Sequence, residues 1–186
     1  PNGVLDVYYT GLTEYEGYYY YVTNGALDWN YTGLAWYYDN WFYVENGMLN
    51  KSYSGLTNYN GSWYNVYKGY LDWTITTLVE YESNWYYVEN GQINWNYSDF
   101  YCSNDGWYLI TNGVLNRNFT DLYFYNGTWY YIENGYLDFG KTTLTYYNGT
   151  WYYVENGQIN WESNTLVNYD GQWYYTYGGE VGWWYT

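Results

Sequence analysis

Glycine recurs every 22 residues in this chain, at Gly3, Gly25, Gly47, Gly69, Gly91, Gly113, Gly135, Gly157 and Gly179. The rest of the unit keeps step, without insertion or deletion. An aliphatic follows two residues after each glycine (Leu5, Leu27, Leu49, Leu71, Ile93, Leu115, Leu137, Ile159, Val181), and in most units Asp or Asn comes next, as at Asp28, Asn50, Asp72 and Asn94. A second aliphatic column runs through Leu12, Leu34, Leu56, Leu78, Leu122, Leu144 and Leu166, with Phe100 in the fifth unit. A period of this length is the signature of a repeat architecture, in which each unit buries its apolar face only against its neighbours. The 186 residues read as one tandem-repeat segment, 1–186, of eight units and a partial one. Pro1-Asn2-Gly3 opens inside a motif, so the chain is expected to be a fragment of something longer.

Within a unit the local chemistry is that of a hairpin. In Leu144-Thr145-Tyr146-Tyr147-Asn148-Gly149-Thr150-Trp151-Tyr152-Tyr153-Val154, Asn-Gly separates two runs of aromatic and β-branched residues. Both turn residues must take positive φ, which Asn and Gly tolerate. A two-residue turn pairs Tyr147 with Thr150, Tyr146 with Trp151 and Leu144 with Tyr153. Glu155-Asn156-Gly157 then makes a second turn. A lone hairpin is marginal in water, so stacking must supply the stability. The expected fold is all-β, an elongated solenoid of stacked β-hairpin repeats. The alternative is a three-sided parallel β-helix, with a third turn at Thr10-Gly11, Thr32-Gly33 and Ser54-Gly55.

Composition narrows the function. Aromatics make up 30% of the chain, with 36 Tyr and 14 Trp. Such rings suit thin, half-covered strands with one edge wet. The net charge of −15, from four Lys+Arg against nineteen Asp+Glu, argues against nucleic acid and against an anionic membrane surface. It permits cationic or neutral ligands. Cys102 is the single cysteine and there is no histidine, so no disulfide, zinc site or His-based triad is expected. Neither EF-type nor nonapeptide calcium spacing occurs, and no metal or cofactor is expected. No apolar run is long enough to cross a bilayer as a helix, so no membrane insertion is expected.

The motif G-x-W-Y-Y-V-x-N-G, seen as Gly127-Thr128-Trp129-Tyr130-Tyr131-Ile132-Glu133-Asn134-Gly135 and again from Gly149 to Gly157, resembles the bacterial cell-wall-binding repeats. These include the choline-binding repeats, the glucan-binding repeats and the clostridial toxin repeats. The resemblance implies a hairpin solenoid on a secreted or wall-associated protein, binding choline-decorated polymers or glycans. It also implies a Trp after the Thr-Gly step, where this chain has Leu12, Leu34 or Leu56. A further Trp column (Trp29, Trp73, Trp95, Trp161, Trp183) is the candidate replacement for that wall.

The candidate ligand-binding residues are a Trp column and the Tyr two positions on. They are Trp41, Trp63, Trp85, Trp107, Trp129, Trp151 and Trp173, with Tyr43, Tyr87, Tyr131, Tyr153 and Tyr175 on the same hairpin face. Rings from adjacent hairpins can cage a quaternary ammonium, at about 0.5–2 kcal/mol per contact, or stack on a sugar. The same rings can instead serve as packing between repeats. The acid column Glu45, Glu89, Glu133 and Glu155 is expected to solvate the sheet edge, and the Asp/Asn column to make Asx turns. Sequons at Asn30, Asn50, Asn60, Asn96, Asn118, Asn126 and Asn148 are possible glycosylation sites, although turn chemistry already accounts for most of them.

Two functions fit these features. One is a non-catalytic binding array for cell-wall polysaccharide, choline-type groups or another glycan, at the cell surface or outside the cell. The other is a structural repeat that self-associates into a stalk or fibre. Carboxylates recur with the repeat rather than at one unique pair, so no catalytic site is expected.

Overall fold

The computed structural model describes residues 6–183, leaving the first members of two columns, Gly3 and Leu5, outside the described residues. The chain divides into two compact units, residues 6–97 with 112–114, and residues 98–111 with 115–183. The boundary falls at the repeat that departs most from the consensus, Phe100-Tyr101-Cys102-Ser103-Asn104-Asp105-Gly106. No helix among the described residues is long and apolar enough to cross a membrane.

Each repeat contributes three strands. In the first unit Gly33–Tyr37, Asn40–Glu45 and Met48–Leu49 form one such set, and in the second unit Thr143–Tyr147, Thr150–Glu155 and Gln158–Ile159 form another. The two longer strands make the expected hairpin, with Tyr147 opposite Thr150, Tyr146 opposite Trp151 and Leu144 opposite Tyr153. Asn148 and Gly149 take φ of 47° and 94°, the positive values that a two-residue primed turn requires. Asn156 and Gly157 make the second turn at 53° and 74°. It folds the short strand back so that Ile159 faces Val154. The short strand also bridges to the preceding hairpin, through Tyr130 and Gln158.

These pairings are antiparallel, so the parallel β-helix alternative is not what forms. Its third turn was misplaced by the pattern. Thr32-Gly33 leads directly into the strand Gly33–Tyr37. The chain reverses earlier, at Asp28–Tyr31, where Asp28 Oδ1 accepts from the Asn30 amide at 3.0 Å. Thr32 Oγ1 instead accepts from the Asn46 amide at 3.1 Å, tying the strand entry to the second turn.

Hairpins stack face to face within each unit. One face of the 143–155 hairpin presents Leu144, Trp151 and Tyr153, and it packs on the opposite face of the next, through Val167, Tyr169 and Tyr174. The same arrangement joins Leu34, Trp41 and Tyr43 to Tyr59, Tyr64 and Val66 in the first unit. Three columns supply most of the buried apolar core: the Leu12 column, the Val44 column and the Leu71 column. Where the Val column carries Thr176, the buried hydroxyl lies 2.7 Å from Ser163 Oγ and donates to the Thr165 carbonyl at 3.1 Å, so its polarity is satisfied.

The regularity of the glycine column has a steric cause. A Cβ on Gly135 would lie 2.6 Å from the Asn116 carbonyl oxygen, a separation that no side chain accommodates. At the hairpin tips a Cβ on Gly61 would meet nothing within 4 Å. Tip glycines therefore matter only for their backbone conformation, and Glu82-Ser83 replaces Asn-Gly there with φ of 47° and 65°.

Candidate functional site

The strand register places Trp151 near the hairpin tip and Tyr153 nearer its base. Stacking then brings Trp151 against Tyr169 of the following hairpin, with centroids 5.6 Å apart and planes at 62°. Two further rings stand beside them: Tyr174, and Trp183 from the turn that follows the next short strand, edge-on to each other at 5.9 Å. Leu144 and Val181 floor the space, and Asp170 lines it with them. The result is a cavity of ≈ 170 Å³ lined by Leu144, Trp151, Tyr169, Asp170, Tyr174, Val181 and Trp183.

This constellation repeats with the period. Trp129 meets Tyr147 at 5.1 Å, beside the Tyr152–Trp161 pair at 5.8 Å. In the first unit Trp63 meets Tyr81 at 5.1 Å beside Tyr86–Trp95 at 5.9 Å, and Trp41 meets Tyr59 at 4.8 Å beside Tyr64–Trp73 at 5.7 Å. Trp107 faces Tyr125 at 6.1 Å and Phe139 at 5.8 Å. T-shaped and tilted pairs of this kind leave ring faces available to a third group.

The structure separates the two columns that the sequence grouped together. Trp41, Trp63, Trp85, Trp107, Trp129 and Trp151 are half-buried and Trp173 is exposed. Trp85 sits opposite Glu80 in its hairpin. Tyr43, Tyr87 and Tyr153 are buried in the core, while Tyr131 and Tyr175 are half-buried. Tyr43 and Tyr87 stack on Tyr53 and Tyr97 at 3.8 and 3.9 Å, which commits their faces to packing. For Trp41, Trp63, Trp107, Trp129 and Trp151 the neighbouring rings are instead the Tyr 18 and 23 residues later, in the next hairpin, whereas position 103, 18 after Trp85, is Ser. Those tyrosines also recur every 22 residues, but adjacency to the Trp depends on how hairpins stack. The Trp73 column does stand at these clusters, half-exposed.

Around the clusters the polar chemistry is local. Burial, reinforced by neighbouring Tyr43, Tyr81 and Glu45, pushes the Tyr53 hydroxyl up to about 12. It donates to the Leu56 carbonyl at 2.6 Å. Burial first and Glu155 second raise Tyr153. The acid column does more than solvate an edge. Asn50, Asn94 and Asn160 donate from Nδ2 to Glu45, Glu89 and Glu155 at 2.8, 2.7 and 2.6 Å. Where the column residue is Asp138 instead of Asn, Lys141 takes over and pairs with Glu133 at 2.8 Å. The same Asn and Asp side chains close Asx turns, as at Asn50–Ser52 and Asp72–Thr74.

Six of the sequon asparagines, Asn30, Asn60, Asn96, Asn118, Asn126 and Asn148, are exposed. Asn50 is half-buried with its amide engaged on both sides, accepting from Ser52 and donating to Glu45. Among the described residues no group of three or more His, Cys, Asp or Glu side chains is placed to hold a metal.

The repeats are similar to those of known proteins. The choline-binding repeat family matches at residues 8–28, 30–50, 74–94, 96–116, 118–138, 140–160 and 163–175, more than half of the chain. Among solved structures from Streptococcus pneumoniae, choline binding protein F is 25% identical over 94% of this chain and 57% of its own, with a TM-score of 0.37. CbpJ is 23% identical over 88% of this chain and 56% of its own, with a TM-score of 0.37. The modular autolysin LytC is 16% identical over 93% of this chain and 48% of its own, with a TM-score of 0.31. The chain thus spans about half the length of these proteins. No curated protein matches. On the match to its repeats across most of its length, the chain belongs to the choline-binding repeat family.

Proposed function

We propose that the chain is a non-catalytic binding array that holds choline-type quaternary ammonium groups of a cell-wall polymer at a surface or extracellular location. The observation that carries this reading is the recurrence of one aromatic cluster, built each time from two consecutive hairpins and open as a cavity at Trp151, Tyr169, Tyr174 and Trp183. A quaternary ammonium donates no hydrogen bond. It is recognised by ring faces and by surrounding negative charge, and this chain supplies both, with a net charge of −15. Repeated weak sites on a polymer gain avidity through multivalency. A neutral glycan stacked on the same rings is the companion ligand class.

A tryptophan-fluorescence titration with choline, and then with cell-wall polysaccharides, tests the reading. A saturable change is expected with choline, weakened by Trp151→Ala and Trp129→Ala while the circular-dichroism spectrum holds. A response to polysaccharide alone would replace the ammonium reading with the glycan one. Silence across the panel would overturn both.

A further inference from the structure

From the second repeat on, the residues immediately after the Asp/Asn column position are Trp29, Lys51, Trp73, Trp95, Arg117, Phe139, Trp161 and Trp183. Six are aromatic and two are cationic, in a chain with only four Lys+Arg altogether. Half of the positive charge therefore sits in the column that elsewhere supplies the fourth ring of the cluster.

Lys51 shows what the exchange does. Its cluster has Tyr19 in the Trp position, Tyr37 edge-on to it at 5.5 Å, and Phe42 beside Tyr37 at 6.3 Å. Lys51 Nζ lies over the Tyr19 ring, 5.5 Å from its centroid, within the range of a cation–π contact. Glu14 and Asp39 line the same depression and supply negative charge around the ammonium. Lys68 and Lys141 also stand over tyrosines, Tyr67 at 5.0 Å and Tyr131 at 5.6 Å, but both lie outside the fourth-ring column.

We propose that Lys51 is a tethered occupant of the Tyr19–Tyr37–Phe42 cluster, closing that one site to free quaternary ammonium while its counterparts stay open. This rests on the reading of the clusters as ammonium sites. A cation held on its own chain competes at an effective concentration on the order of millimolar or more, without any free ligand. Position 51 is then a specificity switch: an aromatic makes a receptor, and a lysine fills it.

The test is calorimetric titration of the full chain with choline chloride, comparing wild type with Lys51→Trp and Lys51→Met. Lys51→Trp should add one site per chain and leave the affinities of the others unchanged. Lys51→Met, which vacates the ring without rebuilding the wall, should add a weaker one. In wild type labelled with ¹³C-lysine, the Lys51 ε-methylene should show an upfield ring-current shift that Tyr19→Leu abolishes. Unchanged stoichiometry in both Lys51 variants, with wild type binding choline, would overturn this inference alone. Lys51 resonances at solvent positions would do the same. Absence of choline binding by wild type and variants would overturn the ammonium reading and this inference together.

Discussion

A Cβ placed on Gly157 would lie 2.6 Å from the backbone carbonyl oxygen of Asp138, in the preceding repeat. Gly149, only eight residues earlier, has open space around the same position. Both take positive φ, so both substitutions carry a backbone penalty of about 1–2 kcal/mol. Only Gly157→Ala adds a clash between backbones. Urea denaturation should therefore show Gly149→Ala costing about 1–2 kcal/mol and Gly157→Ala at least about 3 kcal/mol. Equal losses would contradict a steric origin for the glycine column.

Leu144 and Leu166 occupy equivalent positions in successive hairpins, yet Leu144 is 3% exposed and Leu166 is 60% exposed. No following hairpin covers Leu166 among the described residues. Leu144→Ala should cost about 2–5 kcal/mol, as large-to-small core changes do. Leu166→Ala should stay within about 0.5 kcal/mol. Thermal melts of the two variants check the difference.

Trp151 lines the cavity, whereas Trp173 is 68% exposed and carries no equivalent cluster among the described residues. Losing one cation–π wall of about 0.5–2 kcal/mol corresponds to an affinity loss of roughly 2- to 30-fold. Trp151→Ala should weaken choline binding at its site by that factor. Trp173→Ala should leave the titration unchanged, although its fluorescence contribution disappears.

Tyr53 is pushed up to about 12 by burial and by the acidic and phenolic groups near it. The folded state thus favours the protonated phenol more than the unfolded chain does, whose tyrosines titrate near ~10. The stability this supplies is fully present below the unfolded value and is lost as pH rises from about 10 to about 12. Tyr53→Phe removes that term. It also removes the hydrogen bond to the Leu56 carbonyl, costing about 0.5–1.5 kcal/mol at neutral pH. Denaturation curves across this window should show a shallower alkaline decline for Tyr53→Phe than for wild type.

Hairpin register was legible because Asn148-Gly149 admits one turn geometry, and that turn dictates every opposing pair from Tyr147–Thr150 to Leu144–Tyr153. Two of the core columns, those of Leu12 and Leu71, were legible because stacking buries an aliphatic that repeats with the period, whereas the Val44 column was not singled out among the aromatic runs of the strand. The third reversal was legible through the Asp/Asn column, whose expected Asx turns appear as the bond of Asp28 to Asn30; only the β-helix alternative put that turn at Thr32-Gly33, where a strand begins. The aromatic cluster was half legible. Trp151 was visible as a column, but its partner Tyr169 lies 18 residues on and Trp183 lies 32 on, contacts decided by how one hairpin face settles on the next. Grouping Trp151 with Tyr153 by their shared face overlooked that one sits near the tip and the other in the core.

The central claim, that aromatic clusters between successive hairpins hold quaternary ammonium groups, is tested most directly by a crystal structure grown in saturating choline. The account predicts density for the trimethylammonium among Trp151, Tyr169, Tyr174 and Trp183, within about 6 Å of the ring centroids, and again at Trp129, Tyr147, Tyr152 and Trp161. Density at the hairpin tips alone, or clusters left empty while choline saturates the protein in solution, would contradict it.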